Sequence, residues 1–291
     1  MIPVVTLTSP SDTIVMSGDP RAGFVYNDST LDAWYVLAEV DAGLNKRPNA
    51  HGTYAPDQLF VNEARPIVNG QFYGSSTADA LVARQRLTAM YNDGRPVTMS
   101  VEDDLGTTTR EVWVVEVAPD FRWGHTHFSF DMVAVAPDPR RYGPSVESED
   151  GMPVGSSGLT WPLGTAPSGL YWDWGTPGTL GQVAFTNAGA ATTLPVLHVG
   201  GAGGFDVGFR VTEIETGREL TLMRATGTGD TIILDSRTER ATLNGGDVTG
   251  AMTRRQWFAI PSGETRRYQI TPLGSVTGAP TIRLVAAIAY L

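Results

Sequence analysis

The chain has 291 residues, a formal charge of −10 from 21 Lys and Arg against 31 Asp and Glu, and no cysteine. That charge argues against a free nucleic-acid binder, which needs clustered positive surface to displace phosphate counterions. The missing cysteines exclude disulfides, thiolate nucleophiles and cysteine-ligated metal or iron–sulfur sites, so core packing and strand ladders must hold the fold together. The length suits one large or two ordinary domains.

In chain order, Met1-Ile2-Pro3-Val4-Val5 lacks the basic leader and apolar run of a secretory signal, which predicts a soluble chain without a signal peptide. Glycine (33) and proline (19) are spread as punctuation between β-branched and aromatic runs. This predicts an all-β chain of short strands with one helix. The helix is expected over residues 78–91, capped by Thr77, with Asp79 in its first turn and Asn92-Asp93-Gly94 and Pro96 as its stop. Ala80, Ala83, Leu87 and Met90 form its apolar stripe, while Arg84, Gln85 and Thr88 lie away from it.

Strands are expected over 97–101 and 112–117, with Glu102-Asp103-Asp104 and Gly106 as an acidic hairpin tip between them. Phe128, Phe130 and Met132 alternate with Ser129 and Asp131, placing the first three on one face of a strand. The first half closes with Ala136-Pro137-Asp138-Pro139-Arg140-Arg141-Tyr142-Gly143. From Pro144 to about Gly181 the composition turns to Gly, Pro, Ser and Thr, which reads as a linker with a short strand over 159–163 and a solvated charge run at Glu147, Glu149 and Asp150. Beyond it, Thr216-Gly217 and Asn244-Gly245-Gly246 are hairpin signals of an antiparallel sandwich. Ile282, Leu284, Ala286, Ile288 and Tyr290 share one face of a closing strand. The apolar run 284–291 is far shorter than the roughly 20 residues a membrane-spanning helix needs, so no membrane insertion is expected.

Few constellations suggest chemistry. Ser156 in Gly155-Ser156-Ser157-Gly158 lacks the strand–turn–helix context of a nucleophile elbow. His125 and His127 can face the same way, with Asp131 nearby, but two ligands and a carboxylate on a strand flank fit a structural feature better than a tetrahedral site. The acids at 102–104 lack the alternating oxygen ligands of a calcium loop. Trp161, Tyr171, Trp172 and Trp174 form the strongest binding feature, suited either to stacking on sugar faces or to wedging domains together. Three arginine doublets stand out in an acidic chain. Arg140 and Arg141 are read as interface residues able to fork onto a neighbour's carboxylates; Arg254-Arg255 and Arg266-Arg267 are read as solvent-exposed pairing of little energetic consequence.

The helix, the phrase Asp138-Pro139-Arg140-Arg141-Tyr142-Gly143 and the opening Phe185-Thr186-Asn187-Ala188-Gly189 with Pro195 together resemble the distal tail proteins of long-tailed, non-contractile bacteriophages. Thr216-Gly217, Asp235, Asn244-Gly245, Trp257 and Pro261-Ser262-Gly263 follow in the order of that family's second domain. The resemblance implies a tail-tube-like β-sandwich or split barrel over 1–143, a linker over 144–180 and a galectin-like sandwich over 181–291. It also implies a homo-hexameric ring at the tail tip of the virion. The ring would join the tail tube protein to the tail-tip hub, with the tape measure protein and a host-surface glycan as further contacts and no sequence-specific nucleic acid. It implies no catalytic residue and no cofactor, and the sugar-binding set of true galectins is not recognisable. Two rivals remain: a virion carbohydrate-binding module using Trp172 and Trp174, and a cell-wall hydrolase using Ser156 or the acids at 102–104.

Overall fold

The computed structural model describes residues 2–18, 23–41, 43, 47, 48, 51, 53, 59–153 and 179–291. It divides into two compact units, residues 1–144 with 290–291 and residues 145–289.

The first unit contains β1 (Val4–Thr8), β2 (Thr13–Ser17), β3 (Gly23–Tyr26), α1 (Asp28–Tyr35), a short pair β4 (Val40–Asp41) and β5 (Phe60–Val61), β6 (Ile67–Tyr73), α2 (Thr77–Ala89), β7 (Val97–Asp103), β8 (Gly106–Asp120), β9 (His127–Val135) and the start of β10 (Arg141–Gly151). The strands run in the order β8-β7-β1-β2-β3-β6-β9, and β9 pairs back onto β8, so the sheet closes into a barrel. Closure removes the free edges that an open sheet would present. One strand serves both ends of the seam because β8 is long: residues 106–112 pair with β7, and residues 113–120 pair with β9. A bulge between Val114 and Glu116 bends it at the changeover, as an extra residue on one strand does.

The alternation expected at 128–132 is present, with Phe128, Phe130 and Met132 buried and Ser129 and Asp131 exposed. Phe24, Phe72, Phe128 and Phe130 pack edge to face or offset, with centroids 4.9–6.5 Å apart, the geometry aromatic quadrupoles favour. Gly70 lies where β3 crosses this cluster. A Cβ there would stand 2.1 Å from the Val25 carbonyl oxygen, so only glycine allows the strands to approach.

Helix α2 buries the expected stripe of Ala80, Ala83, Leu87 and Met90. Its cap lies one residue earlier than the sequence suggests. Ser76 and Asp79 form a reciprocal capping box, with the Asp79 N–H donating to the Ser76 hydroxyl at 3.1 Å and the Ser76 N–H donating to the Asp79 carboxylate at 3.0 Å; this satisfies two otherwise orphaned donors. The helix stops where Asn92, Asp93 and Gly94 take positive φ. Arg86 forks onto Asp12 at 2.7 and 2.9 Å and also donates to the Thr13 carbonyl, tying the helix to the β1–β2 turn.

The expectation of one helix is corrected by α1. Its eight residues carry only Thr30 and Trp34 as buried positions, too short a stripe to stand out among turn-forming residues. Tertiary contacts hold it instead: Thr30 exchanges hydrogen bonds with the Asn69 backbone, and Ser29 donates to the Asn69 side chain at 2.8 Å.

The second unit is an antiparallel sandwich. It contains the rest of β10, β11 (Gln182–Thr186), β12 (Val196–Phe205), β13 (Phe209–Glu213), β14 (Glu219–Leu222), β15 (Thr231–Asp235), β16 (Arg240–Leu243), β17 (Gly246–Asp247), β18 (Met252–Arg255), β19 (Thr265–Pro272) and β20 (Val276–Tyr290). One sheet runs β17-β16-β15-β12-β20 and the other β11-β19-β13-β14-β18. Leu197, Val199, Ile232, Leu234, Ile282 and Leu284 of the first meet Val211, Leu220, Tyr268 and Ile270 of the second in one core. Both predicted hairpins form, with Gly217 at φ 70° and Asn244 and Gly245 at φ 49° and 83°. In β20 the alternation holds through Ala286, after which Ala289 is buried and Ile288 is only partly covered.

The expected linker opens as structure: residues 144–151 continue β10. The charge run there is not simply solvated, because Glu147 pairs with Arg283 at 3.1 Å and Asp150 accepts from the Gln182 N–H at 2.9 Å. Ser156, the strand expected over 159–163, and Trp161, Tyr171, Trp172 and Trp174 lie outside the described residues.

Candidate interface surfaces

Arg140 and Arg141 point into different surroundings. Arg140 is half-buried, 3.8 Å from the Asp138 carboxylate, and Asp138 also accepts from the Arg140 N–H at 3.0 Å and the Tyr142 hydroxyl at 2.6 Å. Arg141 turns into its own unit: it donates to the Leu291 carbonyl at 2.8 Å and stacks 4.9 Å above the Tyr35 ring. Tyr35 in turn hydrogen-bonds the Asp103 carboxylate. Burial and that carboxylate push the Tyr35 hydroxyl up to about 12, and the same bond holds Asp103 below its usual range.

Beneath this phrase lies a residue the sequence reading passed over. Arg110 is 3% exposed, donates to the Pro139 carbonyl at 2.6 Å and the Arg140 carbonyl at 3.4 Å, and lies 4.8 Å from the centre of the buried Trp34 ring. Burial, then the neighbouring Arg141 charge, draws its pKa down to about 10, which leaves it cationic at neutral pH. Trp34 completes the cluster by donating to the Thr108 hydroxyl at 3.2 Å. The signal was available: Arg110 shares the strand parity of Val112 and Val114, so a charge stands on the apolar face of β8. The Asp-Pro-Arg-Arg-Tyr-Gly phrase is thus anchored by a guanidinium binding its carbonyls.

In the second unit the residues at 187–189 form a lock. The fully buried Asn187 amide donates to the Ala191 and Ile260 carbonyls at 2.7 and 3.0 Å, and its oxygen accepts from the Gly189 N–H at 3.2 Å. Ser262 donates to the Gly189 carbonyl at 2.6 Å. A Cβ on Gly189 would stand 2.0 Å from the Ala289 carbonyl oxygen. The order of motif residues is therefore an order of packing contacts.

Of the other doublets, Arg254 pairs with Glu219 and Arg267 with Glu215 on open surface, as expected. Arg266 departs from that expectation: it is 15% exposed and faces the buried Glu213, whose carboxylate also meets the Tyr268 hydroxyl. The reason is its place on β19 beside the sandwich core, and the buried carboxylate pushes the Tyr268 pKa upward together with burial, the larger cause. His125 and His127 are exposed with ring centroids 5.4 Å apart. Among the described residues no three His, Cys, Asp or Glu side chains converge as metal ligands, and no helix is long and apolar enough to cross a membrane.

Two exposed apolar features mark the ends of β8. At one end, the acidic tip of the β7–β8 hairpin carries Leu105, 99% exposed, on a turn fixed by the Leu105 N–H donating to Asp103 at 2.7 Å. At the other, Trp123 is 77% exposed and lines a cleft of about 560 Å³ with Leu81, Arg84, Gln85, Thr88 and Ala89 of α2. Phe121 props Trp123 edge-on at 5.7 Å, and Arg84 lies 5.5 Å over the Phe121 ring.

The barrel followed by a motif-locked sandwich is similar, in the sequence of the second unit and in overall fold, to phage tail components. Residues 188–274 match the family described as siphovirus-type tail component, C-terminal domain. Among solved structures, the Dit (gp 19.1) protein of phage SPP1, described as a paradigm of hub adsorption apparatus in Gram-positive infecting phages, aligns over 99% of this chain and 100% of its own, with a TM-score of 0.57 and 13% identity. The phage P2 baseplate in its activated conformation with Ca aligns over 97% and 98%, with a TM-score of 0.55 and 10% identity. Its Sr form gives a TM-score of 0.52 at 11% identity. At such identities these structures share the fold. No curated protein matches in sequence. The resemblance to siphophage distal tail proteins thus holds both in the sequence of the second unit and in the fold of the whole chain.

Proposed function

We propose that the chain is a structural component of a phage tail tip, working as a distal tail protein without catalysis. In this reading residues 1–143 form the ring-building domain, 144–180 the linker and 181–291 a galectin-like domain presented outward. Six copies close into a ring that joins the tail tube protein to the tail-tip hub, adjacent to the tape measure protein. The observation that carries the reading is the end-to-end fold correspondence with the SPP1 Dit protein, together with the family match over residues 188–274.

The physical logic suits a ring. Barrel closure uses up the sheet edges, so subunits must join through side-chain surfaces, each offering one face to a different face of the next. An acidic lumen would repel passing DNA instead of binding it. Arg140 and Arg141 serve in this reading to shape the ring domain's surface through the contacts at Asp138 and Tyr35. Native mass spectrometry of the purified chain, alone and with the tail tube and hub proteins, tests the assembly, and gold-labelled antibody on intact particles tests the location. Closed hexamers and label at the tail tip are expected. A chain that stays monomeric with both partners present, or label distributed along the tail, refutes the reading.

A further inference from the structure

We propose that the β7–β8 hairpin tip of one copy seats in the cleft between α2 and Trp123 of the next, with Leu105 as the knob. This rests on the ring reading above and specifies its joint.

Four observations converge. Leu105 is almost wholly exposed at the end of a two-residue turn, so its whole apolar side chain is available to be buried by a partner. The turn is preset, since Asp103 holds the Leu105 N–H and is itself held by Tyr35; an ordered knob loses little entropy on docking. The receiving cleft offers an exposed indole propped by Phe121, the residue type most enriched at interface centres. The charges also match: Glu102, Asp103 and Asp104 flank the knob, while the exposed Arg84 lines the cleft, an arrangement that steers and orients encounter.

Topology says why the occupant is another copy. Leu105 immediately precedes β8 and Trp123 follows it by three residues. Fifteen residues at about 3.3 Å each give β8 a contour length of roughly 50 Å, so even with its bend at the bulge the two features lie at opposite ends of a long strand. The knob cannot reach the cleft of its own subunit. Unlike surfaces at opposite ends of one element make a head-to-tail contact, which generates a closed ring or an open filament.

The absence of native cysteine permits a direct test. The double variant Leu105→Cys with Gln85→Cys changes two exposed positions, so the fold is preserved. Under mild oxidation it should give a ladder of cross-linked multimers, while either single variant gives none. Adding Trp123→Ala should weaken self-association by about 30-fold, the loss of one interface hot spot, and abolish the ladder. Arg84→Glu should weaken it similarly and be rescued by Asp104→Arg. Rings seen by native mass spectrometry without the cross-link would overturn this joint and leave the ring reading intact. Monomers throughout would overturn both. Cross-linking of the Leu105→Cys tip to a different tail protein, and not to its own kind, would overturn the joint in favour of a heterotypic contact.

Discussion

Replacing Arg110 by methionine keeps the length of the side chain and removes its charge and donors, which isolates what the buried guanidinium does. Its cationic form is disfavoured: a pKa drawn from 12.5 to about 10 corresponds to about 3 kcal/mol at 1.36 kcal/mol per tenfold. Opposing this, the cation over the desolvated Trp34 face contributes about 2 kcal/mol. The Pro139 and Arg140 carbonyls would each cost about 1–3 kcal/mol if left bare. The favourable contributions exceed the burial penalty, and Arg110→Met should destabilise the first unit by about 2–3 kcal/mol. Urea unfolding followed by tryptophan fluorescence and near-UV circular dichroism checks this. With a slope of about 1–3 kcal/mol per molar, the first-unit midpoint should fall by about 0.7–3 M. Arg140→Ala, which loses the 3.8 Å pair with Asp138 and a contact with the Tyr142 hydroxyl, should shift stability by less than about 1 kcal/mol. An Arg110→Met midpoint equal to or above that of the parent would refute the reasoning. It would mean that desolvation outweighs the contacts, as it does for some buried ion clusters.

Other outcomes follow from the packing. Asn187→Ala strands two backbone carbonyls and the Gly189 N–H and should cost the second unit at least about 3 kcal/mol, read as a lower thermal midpoint for that unit with the first unit's unchanged. Gly70→Ala should cost about 3 kcal/mol, since its Cβ must force β3 from β6; amide hydrogen exchange should show β3 and β6 losing protection before β1 and β7. The His198 pKa is lowered by burial first and by the Arg283 charge second. Between that lowered value and the 6.5 of an unfolded chain, the unfolded state binds more protons, so stability rises with pH across the window and falls on acidification below about 6.5. His198→Gln should flatten the pH dependence of the second unit's unfolding midpoint between pH 7.5 and 5; an unchanged slope would assign it to other groups.

What the amino-acid order determined by itself was whatever depends on neighbours in sequence. The two-residue alternation of 128–132 set which side chains face the barrel interior. The 80-83-87-90 stripe set the buried face of α2, and the need for positive φ at 244–245 set a hairpin. Each is a local constraint: backbone geometry fixes the period, and water sorts the faces. The motif order from Asn187 to Gly263 was legible for the same reason, although its meaning as a hydrogen-bonded lock was not. The tertiary structure alone decided what depends on residues far apart in the chain. Helix α1 is held in place because Asn69, some 40 residues on, bonds the Ser29 and Thr30 hydroxyls of its first turn. Arg110 is tolerated on an apolar face because Trp34 and the carbonyls at 139–140 converge on it from two segments remote in sequence. The barrel closes because β8 is long enough to pair twice. None of these has a sequence period, since the free energy that selects them comes from groups brought together only when the chain has folded.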